Sequence, residues 1–162
     1  MLLKKLLFVL SLIIQTVFIS HSAFAANSEE KIQQILSQSE EPAGVVFEIV
    51  SSAKDALNWA IPQTQKYIKQ LRKRFKDLPV AIVTHGNEQF ALQKQKRKQN
   101  EKVHQLTRLL VEEEGVPVHV CGTYAGWRGV AEEDFPEYVD VTAAGPATIN
   151  DYIALGYILI KI

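Results

Sequence analysis

The sequence predicts a three-layer α/β domain built on a mainly parallel sheet of about five strands. Two observations lead to this fold class. Short apolar runs rich in β-branched residues recur along the chain, as in strands that are covered on both faces. Stretches with the apolar spacing of helices lie between these runs. Strands that alternate with helices imply crossover connections, a parallel sheet and helices on both of its faces.

The predicted strands are five apolar runs. Glycines follow two of them closely, at Gly86 and at Gly122, and mark the points where the chain leaves the sheet. The fourth run is the shortest, and the fifth lies close to the last residue of the chain. The runs are 45–50, 80–83, 116–121, 138–141 and 157–160.

Three stretches with helical spacing separate these strands. Pro62 suits the first turn of the first helix, whose apolar face continues to Phe75. Gly115 is a natural stop for the second helix. Gly145 opens the third helix and Gly156 closes it.

The first 25 residues have the layout of a cleavable export signal. Lys4 and Lys5 precede an apolar stretch, 6–18, and small residues then end at Ala25 in an A-x-A pattern. The apolar stretch is shorter than the roughly 20 residues that a membrane span needs, so an uncleaved anchor is the less favoured alternative. We expect cleavage after Ala25, a periplasmic or secreted protein, and no membrane association after cleavage.

The rest of the chain, about 137 of the 162 residues, has the usual size of one domain. We expect a polar N-terminal lead-in at 26–42, which is either a short helix around Ile32 and Ile35 or a mobile segment. The α/β domain then occupies 43–162. No repeat or linker divides it.

The charge balance gives no electrostatic footprint for nucleic acid. The chain has 18 basic and 18 acidic residues, and loss of Lys4 and Lys5 with the signal leaves a net charge near −2. A basic stretch at 93–102 is either an anion- or partner-binding patch or, as we favour, a solvated surface. We therefore expect no nucleic-acid partner.

Cys121 is the only cysteine of the chain, whereas small exported domains usually carry cysteines in disulfide pairs. It ends the third predicted strand, at the sheet edge where open parallel sheets bind ligands. A helix directly after it would stabilise the nucleophilic thiolate through its free N–H groups and its dipole. Unpaired cysteines are also among the most buried residues, so position alone leaves a reactive thiol and a packed one equally open.

Four more residues are candidates for this edge. His85 ends the second strand, and Arg128 adds positive charge if the turn after Cys121 folds back. His119 shares a strand face with Cys121, and we interpret it as packed or hydrogen-bonded under a helix. Glu48 is a charged residue in an apolar run, either at the open end of its strand or in the site. No ligand spacing, dinucleotide fingerprint or phosphate loop is present, so we expect no metal and no cofactor.

Three segments carry a resemblance to a known family. They are the run GVPVHVCG at 115–122, the run VDVTA at 139–143, and the terminal Gly156-Tyr157. Together they resemble the DsrE/DsrF-like sulfur-relay family, and more closely its small exported members. The resemblance covers roughly 43–162.

The resemblance implies a three-layer α/β fold with a parallel sheet and assembly into trimers or hexamers. It also implies that Cys121 is a candidate sulfur carrier, which holds sulfur as a persulfide and exchanges it with a donor or acceptor protein. Export separates this chain from the cytoplasmic relay partners of the better-known members. The alternatives are a non-catalytic module of the same fold that binds a small ligand or a protein, with Cys121 as packing, and, less favoured, a subunit that serves assembly alone.

Overall fold

A computed structural model describes residues 20–162, with side chains from Asn27 onward. The lysines and the apolar stretch of the predicted export signal, within 1–19, lie outside the described residues. No helix in the described part combines the length and the apolar character needed to cross a membrane.

A parallel sheet of five strands forms the middle layer. Its strands are β1 (Val45–Ile49), β2 (Val80–Thr84), β3 (Val118–Cys121), β4 (Asp140–Thr142) and β5 (Ile158–Lys161). Their order across the sheet is β4-β3-β2-β1-β5, and every neighbouring pair is parallel. The predicted fold class is confirmed, and all five carboxyl ends lie at one edge of the sheet.

The five α-helices of the described residues, one before β1 and four between strands, vary in length from six residues to eighteen. They are α1 (Ser20–Leu36), α2 (Leu57–Arg74), α3 (Glu101–Glu112), α4 (Gly122–Trp127) and α5 (Gly145–Ala154). Short 3₁₀ turns occupy Asn87–Leu92, Lys94–Lys96 and Glu132–Asp134.

The two faces of the sheet carry cores of different size. Helices α1, α2 and α3 pack on one face, where alternate strand residues such as Phe47 and Ile82 are fully buried. Helix α5 packs on the other face, over a smaller cluster that includes Val46, Val83 and Ile149. Because successive strand residues point to opposite faces, β3 directs His119 and Cys121 toward the α5 side. Helix α5 thus lies over the face of the sheet that carries His119 and Cys121.

Most of helix α1 lies within the predicted lead-in, 26–42. Of the two alternatives for the lead-in, a short helix is therefore correct for residues 26–36. Ile32 and Ile35 are buried in the larger core, and Lys31 donates a hydrogen bond to the Leu159 carbonyl at 3.3 Å. Helix α1 also runs across the predicted cleavage position after Ala25. The helix is therefore anchored to the domain through the part that follows this position.

The prediction that Pro62 lies in the first turn of its helix is wrong, because α2 begins at Leu57 and contains Pro62 in its interior. Proline has no N–H to donate to the carbonyl four residues earlier, that of Asn58. Asn58 and Trp59 are exposed, so water can reach this turn and satisfy the free carbonyl. Helix α2 therefore tolerates a proline in its interior.

Candidate functional site

Cys121 is the last residue of β3 and the N-cap of α4. Its Sγ accepts a hydrogen bond from the Tyr124 backbone N–H at 3.4 Å. The residue is buried, with 5% of its surface exposed. The predicted turn from strand into short helix is present, and it aims a backbone donor at the sulfur.

The backbone of Cys121 is held by a glutamine that the sequence analysis missed. Gln89 lies in the 3₁₀ turn after β2 and is fully buried. Its Oε1 accepts from the Cys121 N–H at 2.8 Å, and its Nε2 donates to the Cys121 carbonyl at 3.3 Å. Both backbone groups of the cysteine are thus fixed by one side chain, which sets the position of the thiol.

His85 and Cys121 come together beneath the first residue of α5. His85 directly follows β2, as predicted from the strand pattern. A Cβ atom on Gly145 would lie 2.6 Å from His85 Cβ, 3.1 Å from His85 Cγ and 3.5 Å from Cys121 Cβ. Only a residue without a side chain lets α5 approach both groups this closely. The imidazole and the cysteine are therefore neighbours across β2 and β3.

Glu48 connects His85 to a lysine on the neighbouring strand. Glu48 Oε1 lies 2.9 Å from His85 Nε2, and Glu48 Oε2 lies 3.1 Å from Lys161 Nζ. The carboxylate and the imidazole are largely buried, with side-chain exposures of 11% and 15%. The second contact is a charge contact without the alignment of a hydrogen bond. Glu48 therefore lies against a candidate site residue, which agrees with the interpretation that places it in the site.

Arg128 folds back, but onto a different target from the one predicted. Its Nη2 donates to Asn87 Oδ1 at 3.3 Å, and its guanidinium lies 5.8 Å from the centre of the Tyr124 ring. The Tyr124 hydroxyl donates to the same Asn87 oxygen at 2.6 Å. The contacts of Arg128 in the described structure thus join α4 to the loop after β2 and do not include Cys121. Its positive charge is exposed at the rim.

His119 is hydrogen-bonded under α5, as interpreted from the sequence. Its Nε2 lies 2.9 Å from the Tyr152 hydroxyl, and its Nδ1 lies 3.6 Å from an Asp140 carboxylate oxygen. Burial lowers the pKa of His119, and the nearby Asp140 carboxylate opposes that shift. No group of three metal-ligating side chains forms among the described residues. The structure therefore assigns His119 to the packing of α5.

His104 is also buried, between the Tyr138 hydroxyl at 2.6 Å and the Ala91 carbonyl at 3.1 Å. Burial lowers the pKa of His104, against the effect of its bond to Ala91.

Because His104 and His119 bind protons less readily when folded, their contribution to stability is present above about pH 6.5 and is lost as the pH falls. We expect urea unfolding at pH 5.5 and pH 7.5 to show this loss, and a smaller loss in the double variant with glutamine at both positions. An equal loss in both proteins would contradict the assignment.

A groove of about 530 Å³ lies beside β4. Its lining includes three glutamates, Asp140 and the single cation Lys94. The excess of carboxylates opposes an anionic ligand. A small anion bound by a non-catalytic module would therefore have to lie elsewhere.

The sequence model of the DsrE/DsrF-like family matches residues 46–162. This chain belongs to that family. The match contains Glu48, His85, Gln89 and Cys121, so the cluster at the sheet edge lies within the family domain. The predicted resemblance is confirmed, and membership suggests a function of the sulfur-relay type.

Two solved structures of similar proteins support the fold. The protein of unknown function MTH1491 from Methanobacterium thermoautotrophicum is 20% identical, with a TM-score of 0.58 over 73% of this chain and 97% of that one. The ychN protein from E. coli is 15% identical, with a TM-score of 0.55 over 74% of this chain and 99% of that one. At these identities the likeness shows the fold alone. No match was found among curated proteins.

Proposed function

We propose that this protein carries sulfane sulfur as a persulfide on Cys121. The observation that supports this most is the placement of the only cysteine. It lies at the carboxyl edge of a parallel sheet, with its backbone clamped by Gln89 and an N–H of α4 aimed at its sulfur. Open parallel sheets bind their ligands at this edge.

The transfer step needs no external oxidant when the donor already holds sulfane sulfur. The Cys121 thiolate attacks the outer sulfur of a donor persulfide or of thiosulfate. A new S–S bond forms, the S–S bond of the donor breaks, and the donor leaves with the electron pair as a thiolate or as sulfite. Delivery to an acceptor thiolate repeats the same exchange, and Cys121 leaves as the thiolate.

A single cysteine suits a carrier, because a second thiol nearby would convert the persulfide into a disulfide and release the sulfur. The added sulfur extends about 2 Å beyond Sγ, since that is the length of an S–S bond. It can thus reach further out than a thiol that is 5% exposed. Cys121 also lies beside Gly145, the first residue of a ten-residue helix, whose positive end favours an anionic persulfide.

The proposal includes export, with cleavage after Ala25, and so separates this chain from cytoplasmic relay partners. A sulfur donor, a sulfur acceptor and further copies of the same chain, as a trimer or hexamer, are its proposed partners. The residues proposed at the reacting atoms are Cys121 and His85, with Arg128 at the rim for an anionic donor.

One measurement of intact mass tests both the chemistry and the export. The full chain is expressed in a bacterial host, purified from the periplasm or medium, reduced, and treated with thiosulfate or a low-molecular-weight persulfide. We expect a chain that begins at Ala26 and gains the mass of one sulfur atom, with the gain removed by reductant. Cys121→Ser is expected to gain none, because no other cysteine is present.

The burial of Cys121, at 5% exposure, favours one second candidate, a non-catalytic binding module in which the cysteine is packing. Thiol labelling of the native protein separates the two functions. A carrier reacts with iodoacetamide while folded, whereas a packed cysteine reacts only after unfolding. No added sulfur together with a thiol that is inert until unfolding would refute the carrier.

A further inference from the structure

Glu48 is an unusual residue for its position in the sheet. It lies in β1 among four apolar residues, and 9% of its surface is exposed. A buried carboxylate costs free energy unless charges and hydrogen bonds compensate for it. Here Lys161 Nζ at 3.1 Å and His85 Nε2 at 2.9 Å provide that compensation. Alignment of β1 with β5 places Glu48 directly beside Lys161.

The contact with Glu48 selects one form of the His85 ring. An ionised carboxylate only accepts hydrogen bonds, so Nε2 must carry a proton and donate it to Oε1. A neutral His85 then has its free lone pair on Nδ1, the nitrogen that can take up a proton. No hydrogen bond to Nδ1 of His85 is present in the described part of the chain. The carboxylate thus orients a base and leaves its basic atom free.

The ring that carries this free nitrogen is the neighbour of Cys121, because the sheet register pairs Thr84 with Val120, the residues directly before His85 and Cys121. Nδ1 is bonded to Cγ, and Cγ is the ring atom that comes closest to the Cβ position of Gly145. The same point is 3.5 Å from Cys121 Cβ. Carboxylate, imidazole and thiol therefore follow one another across β1, β2 and β3, in the order that activates a nucleophile through an oriented base.

We infer that Glu48 is a positioning residue that makes His85 the proton acceptor for the Cys121 thiol. The inference rests on the proposed function, because it supplies the thiolate which that function needs. The thiol proton moves to His85 Nδ1, and sulfur keeps the electron pair. When sulfur has been transferred, the imidazolium returns this proton to the donor's leaving group, a thiolate or sulfite. No outside oxidant or reductant is needed, because the transferred sulfur is already sulfane sulfur.

The charges around His85 determine how this relay responds to pH. Glu48 on β1, which is itself paired with Lys161 on β5, contacts the ring, and Cys121 lies beside it on β3. Glu88 approaches from the loop, where its carboxylate accepts from the N–H of Gly86 at 2.8 Å. Helix α5 contributes its N-terminal backbone at Gly145. Glu48 is the charged group in direct contact with the ring.

The test is the rate at which iodoacetamide alkylates Cys121 in the folded protein between about pH 6 and pH 9.5, a range that spans the ordinary pKa of a thiol. Loss of the carboxylate in Glu48→Gln destabilises the imidazolium that accompanies the thiolate. We expect the variant to react about tenfold more slowly near pH 6.5 and to approach the wild-type rate above pH 9, where hydroxide ionises the thiol without a base. The ratio of the two rates therefore depends on pH.

His85→Gln provides a second variant, because its side-chain amide can still donate to Glu48 but cannot accept the proton. It should show the same convergence at high pH, and it decides the matter if Glu48→Gln does not fold. Asp140→Asn is the matched control, since Asp140 lies 3.6 Å from His119 and 64% of its side chain is exposed. We expect this control to react as the wild type does at every pH.

A rate that is unchanged, or that falls by the same factor at every pH, would overturn the relay and indicate altered access alone. Alkylation does not require sulfur transfer, so the two proposals fail separately. A pH-dependent ratio in a protein that takes up no sulfur from thiosulfate or a persulfide would support the relay and refute the carrier.

Discussion

Replacing Glu88 with alanine is expected to lower the free energy of unfolding by about 3–6 kcal/mol, since three donors, one buried and two half-buried, each lose a carboxylate partner at a cost of about 1–2 kcal/mol. Glu88 is fully buried. Its carboxylate accepts from the Ser51 N–H at 2.7 Å, the Thr84 hydroxyl at 2.6 Å and the Gly86 N–H at 2.8 Å. It thereby ties the loop after β1 to the end of β2. Urea unfolding followed by tryptophan fluorescence measures the loss.

Glu88→Gln keeps the shape of the side chain and one acceptor oxygen, but it places an amide nitrogen opposite one of the donors. It should therefore fall between the wild type and Glu88→Ala. Glu113→Ala, an exposed glutamate at the end of α3, is the control and should change stability by less than about 0.5 kcal/mol. A Glu88→Ala protein as stable as this control would show that the three hydrogen bonds contribute little.

The strands, and the edge on which the site lies, follow from local pattern. A short β-branched run such as 80–83 has few structures open to it other than a covered strand. Once the sheet is parallel, the carboxyl ends of its strands must meet at one edge. The proximity of His85 and Cys121 therefore follows from two strand boundaries and one topological rule. The family match, over residues 46–162, contains these segments.

The groups that hold the site could not be found in this way. Glu88 and Gln89 lie in a 3₁₀ turn with no periodic pattern, and each has a partner far away in the chain: Ser51, 37 residues from Glu88, and Cys121, 32 residues from Gln89. Their roles depend on which backbone groups the folded loops leave unpaired, and no local sequence signal reports this. Glu48 did leave a signal, a single charge within a buried strand. Its partners His85 and Lys161 became identifiable only with the strand order.

Helix boundaries show a second limit of local pattern. Proline is enriched in the first turn of helices, and because of that preference the predicted start of α2 at Pro62 was too late. The residues before it, Leu57 and Ala60 among them, are buried against the core, and this burial extends the helix past the proline toward its N-terminus. Tertiary packing thus outweighed the local preference of one residue.

Replacing Gln89 with leucine is expected to lower the free energy of unfolding by about 1–3 kcal/mol, because the buried N–H of Cys121 loses its acceptor and the Cys121 carbonyl loses one of its donors. Leucine retains most of the side-chain volume, so the effect reports the lost hydrogen bonds more than a cavity. Without the clamp, the end of β3 opens more often. We therefore also expect iodoacetamide to label Cys121 faster in the native protein.

The two readouts have different physical origins, and their combination identifies the role of Gln89. Gln105→Leu is the matched control, because Gln105 is exposed on α3 and pairs with Glu101 at 2.9 Å. It should leave both the stability and the labelling rate nearly unchanged. Reduced stability with unaltered labelling would mean that Gln89 supports the loop but does not hold the thiol in place. The labelling of Gln89→Leu is measured under conditions in which most of the protein is folded. Faster labelling there would identify Gln89 as the group that keeps the sulfur of Cys121 buried until a donor reaches it.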